Sequence, residues 1–246
     1  MKTKTKILIY PLAIIGVLLM LTTSCYKAGG NFDLNLNPNI NPSTIPDTVT
    51  DIDGNVYNTV IIGNQVWMKE NLRVTHYRNG DPIPNVTDSS NWNTLTTGAY
   101  CNYANNPNII DSYGRLYNWY AVHDTRNISP SGWHAPTDDE WTALINYLGG
   151  RDVAGGQLKE AGNAHWFSPN TGATNSSGFT ALPAGYRTYD GSYNERGYYT
   201  YWWTSTEYSD SSGAWCRRID YNFNQVTLMA MIKYYGLSVR CVKDYY

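Results

Sequence analysis

Aromatic side chains constrain this chain more than any other feature. The sequence holds nine Trp and 22 Tyr, whereas Asp, Glu, Lys and Arg together make up only 15% of it. Such a surface is polar through hydroxyl, indole and amide groups rather than through charge, a composition typical of extracellular binding proteins. In the alternative interpretation, most of the rings fill a core that has little regular helix or strand. We expect some rings to be exposed for binding and others to be buried in the core.

The start of the chain has the pattern of a secretory signal. Residues 1–6 carry three lysines and no acid, residues 7–21 are mostly apolar, and small residues come directly before Cys25. The apolar stretch is shorter than the roughly 20 residues that a membrane-spanning helix needs, so we expect cleavage rather than insertion. A cysteine after small residues resembles a lipoprotein signal-peptidase site. Residues 1–24 are therefore predicted to be a lipoprotein signal peptide.

In this interpretation, Cys25 carries lipid chains such as palmitate, and these chains hold the protein on a membrane. We expect the outer membrane, with the domain on either its periplasmic face or the cell surface. The alternative is an ordinary secretory signal in which Cys25 is incidental.

A flexible tether is predicted over residues 25–50, followed by one domain over residues 51–246. The tether segment is rich in Asn, Pro and Gly and shows neither helical nor strand periodicity. It cannot bury enough apolar surface to offset the entropy of ordering it. Asp47-Thr48-Val49 also resembles a bacterial O-glycosylation pattern, so Thr48 is a candidate for modification.

Two turns and one helix stand out in the domain. Turn residues occur at 51–55 and at Gly63-Asn64, with apolar residues around them that predict a hairpin. Thr137 and Glu140 form a capping box, and apolar residues recur after it at i, i+3, i+4 and i+7. That stripe consists of Trp141, Leu144, Ile145 and Leu148, and Gly149-Gly150 ends the helix.

Beyond Gly178 the pattern changes to short strands, predicted at 198–204, 214–221, 225–231 and 237–243. One or two helices, short antiparallel strands and long irregular loops make an α+β fold.

Five phrases of the chain carry a resemblance to a known family. They are residues 67–72, 133–141, 177–187, 201–207 and 236–242. Their content and order resemble the Fibrobacter succinogenes major paralogous (FISUMP) domain, from about Asp51 to Asp244.

Two of the phrases are also similar to formylglycine-generating enzymes. Residues 136–141 match their Leu-Pro-Thr-x-x-Glu-Trp stretch, with Ala135 where those enzymes have Leu, and residues 236–241 look like their Gly-Phe-Arg-Cys strand. The resemblance implies a C-type-lectin-like domain.

Those enzymes activate oxygen with copper held by two cysteines, and thiolates suit Cu(I). This chain offers Cys101, Cys216 and Cys241. In an oxidising envelope a disulfide is the expected fate of a close pair. Cys216 and Cys241 lie on two late predicted strands that could be neighbours. Cys101 with Cys241 is the other candidate pair, implied by lectin-like folds in which an early element is joined to the last strand.

Other catalytic chemistry finds little support in the sequence. The four histidines lack the spacing of zinc ligands, and there is no nucleophile elbow or phosphate-binding glycine loop. Glu195 and Glu207 could form a glycosidase pair, although nothing in the sequence fixes their separation. We expect a protein without catalytic residues, metal or cofactor.

A binding module is the stronger interpretation. Sugars stack on Trp and Tyr, and their hydroxyls bond to polar side chains. We expect an exposed ring among Tyr198, Trp202 and Trp215, with Glu207 or Asp210 nearby as acceptors. Because side chains alternate across a strand, we expect about half of the rings in this segment to be buried.

The predicted function is therefore a cell-envelope lipoprotein whose domain binds a glycan or a protein without catalysis. The alternative is a structural or adhesive component of a surface assembly, associated with a fibre. The net charge of −2 argues against a nucleic-acid partner, which usually meets a basic face.

Overall fold

The described strands range from two to nine residues, and their pairs are antiparallel. The computed structural model describes residues 45–209 and 212–244. The predicted signal peptide, Cys25 and most of the predicted tether lie outside these residues. The strands are β1 (Thr48–Thr50), β2 (Val56–Ile62), β3 (Gln65–Met68), β4 (Tyr100–Cys101), β5 (Leu116–Tyr117), β6 (Trp133–His134), β7 (Tyr186–Arg187), β8 (Tyr193–Asn194), β9 (Tyr199–Glu207), β10 (Gly213–Asp220), β11 (Val226–Ile232) and β12 (Val242–Lys243).

Five helices accompany the strands in the described residues. They are α1 (Ser89–Trp92), α2 (Ile110–Tyr113), α3 (Trp119–Val122), α4 (Asp138–Tyr147) and α5 (Arg151–Leu158), with 3-10 turns at Tyr103–Asn105 and Pro107–Ile109. The predicted α+β class is thus confirmed. Over the same residues, no helix is both long and apolar enough to span a bilayer.

The largest sheet joins the two ends of the domain. Its order is β1-β2-β3-β12-β6, and the predicted turn at Gly63-Asn64 connects β2 to β3. Thr48 pairs with Asn58 in the sheet, and Ile45 packs against the core. The predicted tether is therefore too long at its C-terminal end, because residues 48–50 gain strand partners that only the folded sheet supplies.

A second sheet has the order β11-β10-β9. Three of the four predicted late strands are confirmed as these strands. The fourth, predicted at 237–243, is wrong except at β12. Before β12, Leu237 forms a single bridge to Tyr117 and Ser238 forms a single bridge to Trp202. This buried segment thus changes its neighbour from one residue to the next and does not form a continuous strand pair.

Helix α4 forms as the sequence predicts. The Thr137 hydroxyl accepts from the backbone N–H of Glu140, whose carboxylate accepts from the Thr137 N–H at 2.8 Å, which closes the capping box. The apolar stripe from Trp141 to Leu148 is buried. Gly149, at φ +90°, ends the helix in the left-handed region.

Strand β9 lies between two apolar clusters. Because side chains alternate across a strand, Tyr201 and Trp203 enter one cluster while Trp202 enters the other. Trp202 is fully buried, with its ring centroid 5.5 Å from that of Trp141 and 5.8 Å from that of Phe179. The centre of β9 is thus covered on both faces.

Candidate functional site

The predicted ligand residues do not lie together. Tyr198 is 42% exposed, as expected of a binding ring, but Trp202 is fully buried. The expectation for Trp202 was wrong because helix α4 covers its face of the sheet through Trp141. Asp210 lies outside the described residues.

Trp215 and Glu207 are committed to other contacts. The half-buried Trp215 packs edge-on against Tyr208 at a centroid distance of 4.8 Å. Alternation along β10 places it on the opposite face from Arg218. Glu207 forms an ion pair with Lys233, whose amine lies 4.7 Å from the centroid of the Trp119 ring. Neither residue joins Tyr198 in a shared site.

Tyr198 instead belongs to a continuous line of rings, which we call the tyrosine row. Its eight members follow one another with centroid separations between 4.5 and 6.4 Å. In spatial order they are Phe167, Tyr198, Tyr221, Tyr199, Tyr201, Tyr186, Tyr235 and Tyr189.

The tyrosine row is exposed at both ends and partly buried along its middle. Phe167 is 51% exposed and Tyr189 is 52% exposed. Tyr201 is buried, and the remaining inner rings are partly exposed. Exposed apolar surface marks interaction sites on soluble proteins, and here it is concentrated at the two ends of the row.

Five segments of the chain converge to build the row, including the loop at Phe167 and the β7 region of Tyr186 and Tyr189. Tyr199 and Tyr201 project from the same face of β9, whereas Tyr221 follows β10 and Tyr235 follows β11. Gly197 lies beside Phe167, at one end of the row, and has φ +90°. A Cβ there would lie 2.4 Å from a ring carbon of Phe167, so only glycine allows this ring to pack so closely.

Polar groups lie directly beside the rings. Glu195 accepts a hydrogen bond from the Tyr201 hydroxyl at 2.8 Å, and its backbone has φ +65°, a conformation that is uncommon outside glycine and is found at functional sites. Burial, together with the Glu195 carboxylate, raises the pKa of Tyr201 well above its usual value.

A cation completes the polar side of the row. The Arg218 guanidinium lies 5.2 Å from the Tyr199 ring centroid. Its buried Nε–H has no hydrogen-bond partner in the described part of the chain. The row therefore combines flat rings with one carboxylate and one guanidinium, a set that can stack on a ligand and bond to its polar groups.

The three described cysteines are buried free thiols, and neither predicted pairing is formed. Cys216 lies in β10, whereas Cys241 precedes β12 in the other sheet and donates to the Ser129 hydroxyl. Cys101 belongs to a third, smaller cluster. Burial raises the pKa of Cys216 and of Cys241 to about 12, so both thiols stay protonated. No group of three or more His, Cys, Asp or Glu in the described ranges is arranged to hold a metal.

Comparison with known families gives one result. The model of the Fibrobacter succinogenes major domain matches residues 60–243. The chain belongs to this family. No curated protein and no solved structure matches the chain.

Within this Fibrobacter succinogenes major domain, the sequence predicted Tyr198 as a ligand-binding ring and did not reveal most of the rest of the row. Phe167 and Tyr235 lie outside the predicted strands, and Tyr221 is the last residue of the strand predicted at 214–221. Tyr186 was already part of one of the family phrases, yet nothing local connects it to Tyr201. The one available signal was the abundance of tyrosine itself.

Proposed function

We propose that this domain is a non-catalytic binding module for a glycan, and that the tyrosine row is its binding face. The observation that carries the proposal is the continuous line of eight rings with Glu195 and Arg218 beside it. The apolar faces of sugar rings stack on tyrosine, whose hydroxyl stays available for polar contacts. A line of rings suits a chain of sugars better than a single one.

The contacts of the two acidic candidates favour binding over hydrolysis. Glu195 is bonded to Tyr201, and Glu207 is paired with Lys233. A glycosidase needs two carboxylates that face each other across the scissile bond, whereas each of these is engaged with a different neighbour.

We further propose that the protein is a lipoprotein of the outer membrane, anchored through Cys25. For its domain we propose a C-type-lectin-like fold. The pairing of β3 with β12, which joins the two ends of the domain, and the helices α4 and α5 support this assignment.

One observation favours the second candidate, a structural or adhesive component of a surface fibre. In the described residues β11 is the edge of its sheet, and it contains neither a charged residue nor proline. Leu228 and Ile232 on it are exposed. Uncharged edges of this kind tend to pair with another chain.

A glycan array with a soluble fragment from residue 26 to residue 246 tests the first proposal. Tyr198→Ala and Tyr189→Ala should each weaken binding by at least about tenfold, since exposed aromatic anchors are often worth about 2 kcal/mol. Tyr147→Ala is the matched control, because Tyr147 is 52% exposed on α4 outside the row.

Equal binding by all three variants would show that the row is not the glycan site. A fragment that binds no glycan and self-associates through β11 would favour the structural role instead.

A further inference from the structure

A second site lies away from the tyrosine row, in a cavity of about 250 Å³. Five of its seven lining residues belong to the phrases that carry the family resemblance, which therefore meet at this cavity. The seven are Lys69, Glu70, Asp111, Ser112, Thr180, Leu182 and Arg240.

Arg240 is a buried cation without a carboxylate partner in the described part of the chain. Only 1% of it is exposed. Its Nε and Nη2 donate to the Asn71 side-chain oxygen at 3.1 and 2.9 Å, and its Nη1 donates to the Phe179 carbonyl. All of these acceptors are neutral, and a guanidinium has five N–H groups. Two donors are therefore left for another acceptor.

The surroundings of Arg240 make its charge costly. The guanidinium lies 4.2 Å from the Phe179 ring centroid and 5.5 Å from that of Trp202. Burial lowers its pKa to about 9, and the nearby charge of Glu70 opposes this only in part. A buried charge is normally paired, so this one has the character of half an ion pair.

The acidic residues of the cavity are engaged elsewhere. Both carboxylate oxygens of Glu70 accept from Asn58, at 2.7 and 2.8 Å. Asp111 is almost fully exposed and pairs with Arg73 at 3.2 Å. The half-buried Lys69 forms no ion pair in the described ranges, and so it leaves a second cation at the cavity.

One wall of the cavity is held in an unusual conformation. Thr180 has φ +55°, an outlier for a β-branched residue. Its N–H donates to the Asn175 side-chain oxygen at 2.8 Å, and its hydroxyl accepts from the Asn175 amide at 2.9 Å. Strain that neighbouring groups hold in place is characteristic of binding sites.

We propose that this cavity binds the carboxylate of a small monoanion between Arg240 and Lys69. A planar guanidinium matches the two oxygens of a carboxylate. Asp111 is already paired with Arg73, which leaves the two cations Lys69 and Arg240 against the single carboxylate of Glu70, so one negative charge on the ligand is matched better than the two of a phosphate. The volume is below that of a drug-sized pocket and suits a ligand no larger than one acidic sugar.

Calorimetric titration of the purified protein at low ionic strength tests the site. Glucuronate and acetate should bind and raise the melting temperature, whereas glucose should not. Lys69→Gln should weaken glucuronate binding at least about fivefold, with the fold intact by circular dichroism. Lys243→Gln removes the same charge from β12, outside the cavity lining, and should bind like the wild type.

The other anions distinguish the ligand class. If sulfate or phosphate binds as tightly as glucuronate, the assignment to a carboxylate is overturned. Loss of glucuronate binding in Tyr198→Ala would place the anion on the tyrosine row and overturn the cavity site. Unchanged glucuronate binding in Lys69→Gln would also overturn the cavity site. So would the absence of binding by both glucuronate and acetate at millimolar concentration. Arg240→Lys keeps the positive charge but removes the planar guanidinium that can donate to both carboxylate oxygens. The folded variant should therefore bind acetate more weakly than the wild type.

Discussion

His134 Nε2 lies 2.8 Å from Oε1 of Glu140, the residue whose carboxylate also closes the capping box of α4. On the other side of the ring, Nδ1 contacts the Asp244 carboxylate. His134 thus connects the start of α4 to the end of the domain, and an imidazole can serve both carboxylates as a donor only when it is protonated.

Stability should therefore depend on the charge of His134. Burial lowers its pKa, but the hydrogen bonds that the ring donates to Glu140 and Asp244 outweigh burial and raise the pKa above the usual value. A raised folded-state pKa stabilises the fold fully below the unfolded value of about 6.5, and this contribution disappears as pH rises through the folded pKa. Urea unfolding of the wild type and His134→Gln from pH 5 to 9 should show a stability difference that shrinks as pH rises.

The control for this prediction is His123→Gln, since His123 is exposed and stacks on Trp119. This variant removes an imidazole that forms no ion pair in the described residues, so it is the comparison for the ion pairs of His134. A difference between wild type and His134→Gln that stays constant from pH 5 to 9 would contradict the argument.

The α4 stripe should contribute strongly to stability. Thr137→Ala removes one half of the capping box and should cost about 1 kcal/mol. Trp141→Ala should cost roughly 3–5 kcal/mol, because the ring is fully buried against Trp67 and Trp202. Denaturant unfolding measures both, and Tyr147→Ala on the exposed side of α4 should cost far less. Similar midpoints for Trp141→Ala and Tyr147→Ala would rule out a core-facing stripe.

Lys159 should stabilise the turn at residues 220–223, which carries Tyr221 of the tyrosine row. Its buried amine donates to the carbonyls of Thr171, Asp220 and Phe223 at 2.9, 3.0 and 2.9 Å, and burial lowers its pKa to about 8. Lys159→Met keeps much of the side-chain volume but leaves three buried carbonyls without a donor. We expect the free energy of unfolding to fall by at least about 1 kcal/mol, the lower end of the cost of leaving a buried polar group without a partner.

Lys243→Met is the comparison variant for Lys159→Met, because Lys243 is only half-buried. If the two variants unfold at the same urea concentration, the contacts of the Lys159 amine contribute nothing measurable.

The lipid anchor has its own test. Cys25→Ala should move the protein from the membrane to the soluble fraction and abolish fatty-acid labelling, because several acyl chains are needed for durable attachment. Ser24→Ala keeps a small residue before the cysteine and should leave both unchanged. Membrane fractionation of Cys25→Ala that matches the wild type would exclude lipidation as the anchor.

The sequence by itself determined those elements whose signals are local. Helix α4 is specified by a cap, an apolar stripe and two glycines within 14 residues of one another, and the β2–β3 hairpin is specified by its turn. Interactions of this range are formed by neighbours along the chain, so their pattern is visible without the fold.

Only the tertiary structure decided which rings are buried and which are exposed. Trp202 and Tyr198 have similar neighbours in sequence, but α4 covers Trp202 and leaves Tyr198 exposed. Asn71 and Arg240 are separated by 169 positions and meet in the core, and the tyrosine row draws its rings from five segments. Burial depends on what packs against a residue from distant parts of the chain, and no local pattern records that partner.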